Sequence, residues 1–374
     1  VAHGPRADKR MTQFCCLLLV LALGSANSQG LQAVRPGRGN LFAAAPTSSQ
    51  GTAGGVASGD DIHNAMGYNT TASGDYSTAM GYSTTASGTF STAMGAFTTA
   101  SGEYSTAMGY STTASEMFST AMGEGTKASG YQSTAMGMLT TASGEYSTTM
   151  TFNTTASGGY STAMGNQSTA SGTYSTAMGS YTTASGDYST AMGCNTTASV
   201  EYSTAMGAFT KASGWSSTAM GEFTTASGDY STAMGLSTTA SGLVSTAMGS
   251  STTASGAYST AMGGYTTAES LAETVVGQYN ALGGSPSTTS WVTADAAFRV
   301  GIGTDDLNRK DALTVYKNGT VVISGDLVVA GSTVASNPGR RLAALEASAE
   351  KQQQLKAEIK EELKAEIKEQ LKAE

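Results

Sequence analysis

Reactive side chains are scarce in this chain. Its 374 residues include two histidines and three cysteines, and the only histidine beyond the N-terminal stretch is His63. No paired acid and base and no His/Cys cluster at metal-ligand spacing can be drawn from that supply. We therefore expect no enzyme, no cofactor and no metal site. Positive charge is also thin: 19 Lys and Arg against 27 Asp and Glu give a net charge of -8. The cations form no stripe, which excludes nucleic acid as a partner. Long apolar runs are missing apart from residues 15–23, too short to span a bilayer, so no membrane span is expected in this chain. Two of the three cysteines, Cys15 and Cys16, lie in that run and the third is Cys194. Stability is therefore expected from stacking and oligomerisation, not from disulfides.

The apolar run reads as a secretory signal within residues 1–26. Met11 is a natural start after ten upstream residues, and Gly24-Ser25-Ala26 offers a small-residue cleavage site. A secreted or cell-surface protein is expected. Residues 27–56 read as a flexible Gly/Pro/Ala-rich tether. Asn69, Asn153, Asn166, Asn195 and Asn318 begin glycosylation sequons, which a Ser/Thr-rich chain generates by chance.

What the chain has in abundance is repetition. From Ala65 to Gly277 it repeats every fourteen residues, as in Tyr76-Ser77-Thr78-Ala79-Met80-Gly81-Tyr82-Ser83-Thr84-Thr85-Ala86-Ser87-Gly88-Thr89. A glycine follows the methionine in unit after unit, and only Thr151 breaks that series. A unit this short cannot bury a core alone, so successive units must stack as a solenoid. Glycine and β-branched or hydroxyl residues in every half-unit argue against a helical coiled coil. Short strands joined by glycine turns fit, with two strands per coil and two parallel sheets back to back. The fold class is thus an all-β solenoid, a parallel β-roll of 14-residue coils spanning residues 57–284.

Strand alternation sorts the faces. Ser77 and Ala79 point one way, Thr78 and Met80 the other, and Ala86 opposes Thr85 and Ser87. Only alanine recurs in both half-units, so Ala79 and Ala86 are placed inside. Lysine replaces the Thr85-type residue at Lys127 and Lys211, which marks that face as wet. One outer flank then carries fifteen methionines from Met66 to Met262, on a rod about 70 Å long at ~4.8 Å per rung. So long an apolar stripe calls for burial between identical chains. The expected seam comprises Met80, Met94, Met108, Met122, Met164, Met178, Met192, Met206, Met220, Met234 and Met248. A turn position is aromatic in most units, and an acid often precedes it. Tyr76, Tyr104, Tyr146, Tyr188 and Tyr230, with Asp75, Asp187 and Asp229, form an edge that either seals the roll by stacking or contacts a ligand.

Ser77-Thr78-Ala79-Met80-Gly81-x-x-Thr84-x-Ala86-x-Gly88-x-x-Ser91 resembles the head repeat of YadA-like trimeric autotransporter adhesins, S-V-A-I-G-x-x-S-x-A-x-G-x-x-S. Thr78 stands for Val and Met80 for Ile. The resemblance implies a left-handed roll, three chains side by side, and adhesion to host matrix such as collagen. Residues 285–335 resemble the trimeric β segments that follow such heads in adhesins and phage-tail-like fibres. There Asn318-Gly319 predicts a hairpin between Leu313–Tyr316 and Thr320–Ile323. In residues 336–374, Leu355, Ile359, Leu363, Ile367 and Leu371 recur every four residues, flanked by lysines and glutamates. A short coiled-coil stalk is expected, cut short within its own Lys-Ala-Glu repeat. Together these features predict an exported homotrimeric surface fibre whose partners are itself and a matrix or cell-surface ligand. The alternatives are ice binding by the Thr85-x-Ser87 rows and a ligand-free spacer.

Overall fold

The computed structural model describes residues 63–325, two short strands at Leu327–Val329 and Ser332–Val334, and helical backbone at Gln353 and Lys360. The expected leader and tether, and the rest of the expected stalk, lie outside the described residues.

Each fourteen-residue unit makes one coil with a five-residue strand, as Thr78–Tyr82, and a two-residue strand, as Thr85–Ala86. Strands pair in parallel with the same strand one coil away, so Met80 lies opposite Met94 and Ala86 opposite Ala100. The two-residue strands stack into a 15-stranded sheet, and the long strands form most of a 19-stranded one. Fourteen residues per coil keeps this register fixed: slipping one residue along the strand would exchange alanine for methionine in the core.

The core is a column one side chain wide. Ala79 and Ala86 and their equivalents are completely buried, as the alternation predicts. So are Ser77 and Thr84, the latter a position the alanine argument overlooked. Half of each coil's interior is therefore hydroxylic. Some of these groups close their own turn, as when Ser147 and Ser161 donate to the carbonyls of Gly144 and Gly158 at 2.6 Å. Others reach the next coil, as Thr182 Oγ1 does in donating to Ser168 Oγ at 2.9 Å. The rest, Ser77 and Thr84 among them, make no side-chain hydrogen bond among the described residues, so what suits serine and threonine to the column is their small volume.

Glycine in the Met-Gly pair is fixed by the backbone. Gly179 has φ +130, and a Cβ there would meet the carbonyl oxygen of Gly193 at 2.0 Å. Neither the conformation nor the space admits a side chain without a shift of the coil.

At the C-terminal end the column is closed by charge. Ala261, Val275 and Arg299 lie in register on successive strands, so an arginine stands where the next alanine would fall. Its guanidinium is matched by Glu273 (Nε to Oε1, 2.8 Å) and Asp311 (Nη1 to Oδ2, 3.1 Å), and it donates to the Ala281 carbonyl. The strand Ala296–Ile302 adds in parallel to the last coil; Asp311–Tyr316 and Val321–Ile323 then add antiparallel, ending the stack. The hairpin between the last two turns at Asn318-Gly319, where Gly319 has φ +86. Replacing Arg299 by Met would strand two nearly buried carboxylates. We expect a loss of about 3–5 kcal/mol, the cost of breaking a buried pair by removing one partner. Hydrogen exchange should show it as early opening of residues 270–323.

Candidate functional surfaces

Three outer surfaces run the length of the roll. On the first, Thr78 and Met80 flank buried Ala79 and face away from the core, and both are half-buried in the single chain. The same pattern recurs at Met94, Met108, Met122, Met164, Met178, Met192, Met206, Met220, Met234 and Met248. Each thioether is partly covered by those of the coils above and below, and the terminal Met66 is 64% exposed. The stripe the alternation predicted is thus present on the outside of the chain.

The second surface is the two-residue-strand sheet, where Thr85 is half-buried and Lys127 and Lys211 are exposed. Those lysines are the only cations between residues 64 and 298.

The third is the turn edge. Gly74 to Ser77 form a tight turn closed by the Ser77 amide and the Gly74 carbonyl at 3.0 Å, with Tyr76 at φ 57. A positive φ at that turn position favours glycine or asparagine, yet an aromatic holds it in most coils at a cost of order 1 kcal/mol. Stacking offsets the cost, since an aromatic pair contributes ~0.5–1.5 kcal/mol beyond its buried area. Tyr76, Phe90, Tyr104 and Phe118 stack at 4.8–5.0 Å, and Tyr146, Tyr160, Tyr174, Tyr188 and Tyr202 at 4.7–5.1 Å. Tyr104, Tyr188 and Tyr230 remain about half exposed, showing ring edges and hydroxyls to solvent.

Two features of this edge were not anticipated. Where the ladder position is Gln132 or Ser216, the preceding residue supplies the ring: Tyr131 bridges Phe118 and Tyr146, and Trp215 bridges Tyr202 and Tyr230. The aromatic chain therefore runs unbroken from Tyr76 to Tyr230. The acids also work locally. Asp187 Oδ1 accepts the Thr173 amide at 2.8 Å and Asp229 Oδ1 the Trp215 amide at 2.9 Å, each one coil away, while Asp75 is exposed. A further aromatic group on the opposite edge, Tyr68, Tyr82, Phe97 and Tyr110, also escaped the sequence reading. Its signal was the aromatic residues recurring two or three positions after each methionine.

Desolvation in the stack, then the neighbouring phenols and Glu145, pushes the pKa of Tyr146 above the ordinary tyrosine value. Desolvation, then Glu201, does the same for Tyr202. Folding thus favours their neutral forms. Their contribution to stability is complete below the pH at which free tyrosine ionises, and is lost as pH rises from there through the folded value. We expect the unfolding temperature to fall above pH about 10, with a smaller fall in Tyr146→Phe and Tyr202→Phe, followed by circular dichroism and phenolate absorbance.

Among the described residues no group of His, Cys, Asp and Glu could hold a metal ion, and no helix is long and apolar enough to cross a membrane. A search of curated proteins finds no significant match. The sequence model of the YadA head domain repeat matches residues 65–84, 72–98, 86–112, 100–126, 114–140, 128–148, 156–182, 184–210, 212–238 and 240–266, more than half of the chain. Both the repeats and the β-solenoid fit the trimeric autotransporter-like adhesins, a family of surface-exposed, non-enzymatic proteins. With that match over more than half of its length, on a roll of fourteen-residue coils, the chain belongs to the YadA head repeat family.

Proposed function

We propose that three copies of this chain pack their methionine faces together outside the cell and present the tyrosine edge for attachment to a matrix or cell surface. The observation that carries this reading is the methionine stripe, in register over the whole roll and half-buried before any partner is added. Completing the burial of one such side chain is worth roughly 1 kcal/mol, half of a full burial. Fifteen rungs supply far more than a weak association needs. Threonine beside methionine makes the seam less apolar than valine beside isoleucine, so part of the stabilisation comes from hydroxyls bridging chains. Ice binding by the Thr85-x-Ser87 rows is disfavoured, because Lys127 and Lys211 project from that lattice.

Sedimentation of the secreted chain tests the assembly and should give three times the chain mass. Attachment to immobilised matrix proteins, with and without residues 57–277, then separates an adhesin from a spacer: a spacer attaches equally poorly in both forms. A folded monomer at micromolar concentration would overturn the proposed seam.

A further inference from the structure

The aromatic ladder changes character at Trp215. Its indole lies at 89° to the Tyr202 ring and 78° to Tyr230, with centroids at 5.8 and 4.7 Å. Rings in the stacked stretches face one another along the rod, so their faces cover each other. The Trp215 ring instead meets its neighbours by its edges, which turns its faces sideways, out of the stack. In its row Trp215 stands where neighbouring coils place acids: Glu201 lies one coil before it and Asp229 one coil after. Glu201 Oε2 accepts the indole N–H at 3.3 Å and Asp229 Oδ1 accepts the Trp215 amide. Both carboxylates belong to exposed residues, and Glu201 also meets the Tyr202 phenol.

An indole face between two carboxylates is a setting for an organic cation, because the ring quadrupole and the carboxylates attract the same charge. Among cations, a guanidinium suits it best: planar, weakly hydrated, able to lie on the ring while its edge donates to a carboxylate. The surroundings reinforce the sign. The acid row of this edge carries Asp75, Glu103, Glu145, Asp187, Glu201 and Asp229 and no cation, and the roll's two lysines lie on the other sheet. Desolvation, and after it the Glu201 carboxylate, pushes the Tyr202 pKa up, the second cause being of the same sign as the acid row. Tyr131 repeats the arrangement more weakly, turned 80° from Tyr146 beside Glu145.

We infer that the Trp215 rung is a docking point for arginine side chains on an extended segment of a partner protein running along the tyrosine edge. The inference rests on the proposed use of this edge for attachment and names the chemistry of what it takes.

The test is calorimetric titration of the full chain with an acetylated tetra-arginine peptide, beside tetra-lysine and tetra-glutamate peptides, with sedimentation of the same samples. Binding should favour arginine over lysine, weaken with salt, and be absent for glutamate. Trp215→Leu should weaken it about tenfold. Glu201→Gln and Asp229→Asn, which keep the acceptor oxygens and so the local fold, should each weaken it a few-fold. Failure of the wild-type chain to bind tetra-arginine, or unchanged affinity in Trp215→Leu and Glu201→Gln, overturns the inference. A trimer that ignores the peptide removes this site and leaves the assembly standing. A monomer that binds it does the reverse.

Discussion

Met178→Asp combined with Met192→Asp is expected to convert the proposed trimer to folded monomers. Both residues lie near the middle of the roll, on adjacent strands that pair Met178 with Met192, and both face away from the alanine core. Within one chain the substitutions put two carboxylates on a surface already in contact with solvent, and the coil should lose little. In a three-fold assembly the same change buries six carboxylates against one another. Each buried charge without a partner costs several kcal/mol, more than the methionines contributed at those rungs. Sedimentation should show the mass falling threefold while the β spectrum is retained. Leucine at both positions keeps the apolar volume and should keep the trimer. A double aspartate chain that remains trimeric would place the seam elsewhere on the roll.

The glycine row supplies the second large effect, and the chain carries its own control. Thr151 occupies the position that glycine holds in the other coils; its φ is 97, against 130 at Gly179. Its hydroxyl accepts the Gly165 amide at 3.1 Å, a partial compensation that glycine neighbours lack. Gly179→Thr would force a Cβ toward the Gly193 carbonyl, 2.0 Å away, in a coil whose neighbours are built for glycine. Backbone strain of about 1–3 kcal/mol adds to the steric displacement of two coils. We expect a loss above ~3 kcal/mol, seen as a lower unfolding midpoint and local opening around residues 165–207. Thr151→Gly should move the other way, by about 1 kcal/mol, once the strain relieved is set against the hydroxyl bond and chain freedom lost. If both substitutions destabilise equally, the row's glycines are needed for something other than conformation and space.

Much of this architecture was written along the chain. A period of fourteen pairs residue i with residue i+14, so one unit fixed the coil, the register, the buried alanines and the outward methionines. Strand alternation needs no distant information, and for that reason it succeeded at Ala79 and Met80. It reached Ser77 by the same rule but missed Thr84, because threonine resembles a surface residue until the interior proves too narrow for anything larger. The tyrosines were visible as a column, whereas their half-exposed stacking depended on a positive φ that aromatic residues rarely adopt.

The sequence by itself determined the repeat, the two-sheet coil and the family, since each follows from spacing and from which side chains recur. Tertiary structure alone decided that Tyr131 and Trp215 fill the gaps in the ladder and that Asp187 and Asp229 serve amides of the preceding coil. It likewise decided that Arg299 ends the alanine column against Glu273 and Asp311. The arginine contacts, 26 and 12 positions apart, and the ring contacts of Tyr131 and Trp215 arise from departures from the repeat, which carry no period from which a partner could be read. Asp187 and Asp229 do keep the fourteen-residue spacing, but the period does not say whether a side chain turns toward an amide or toward solvent.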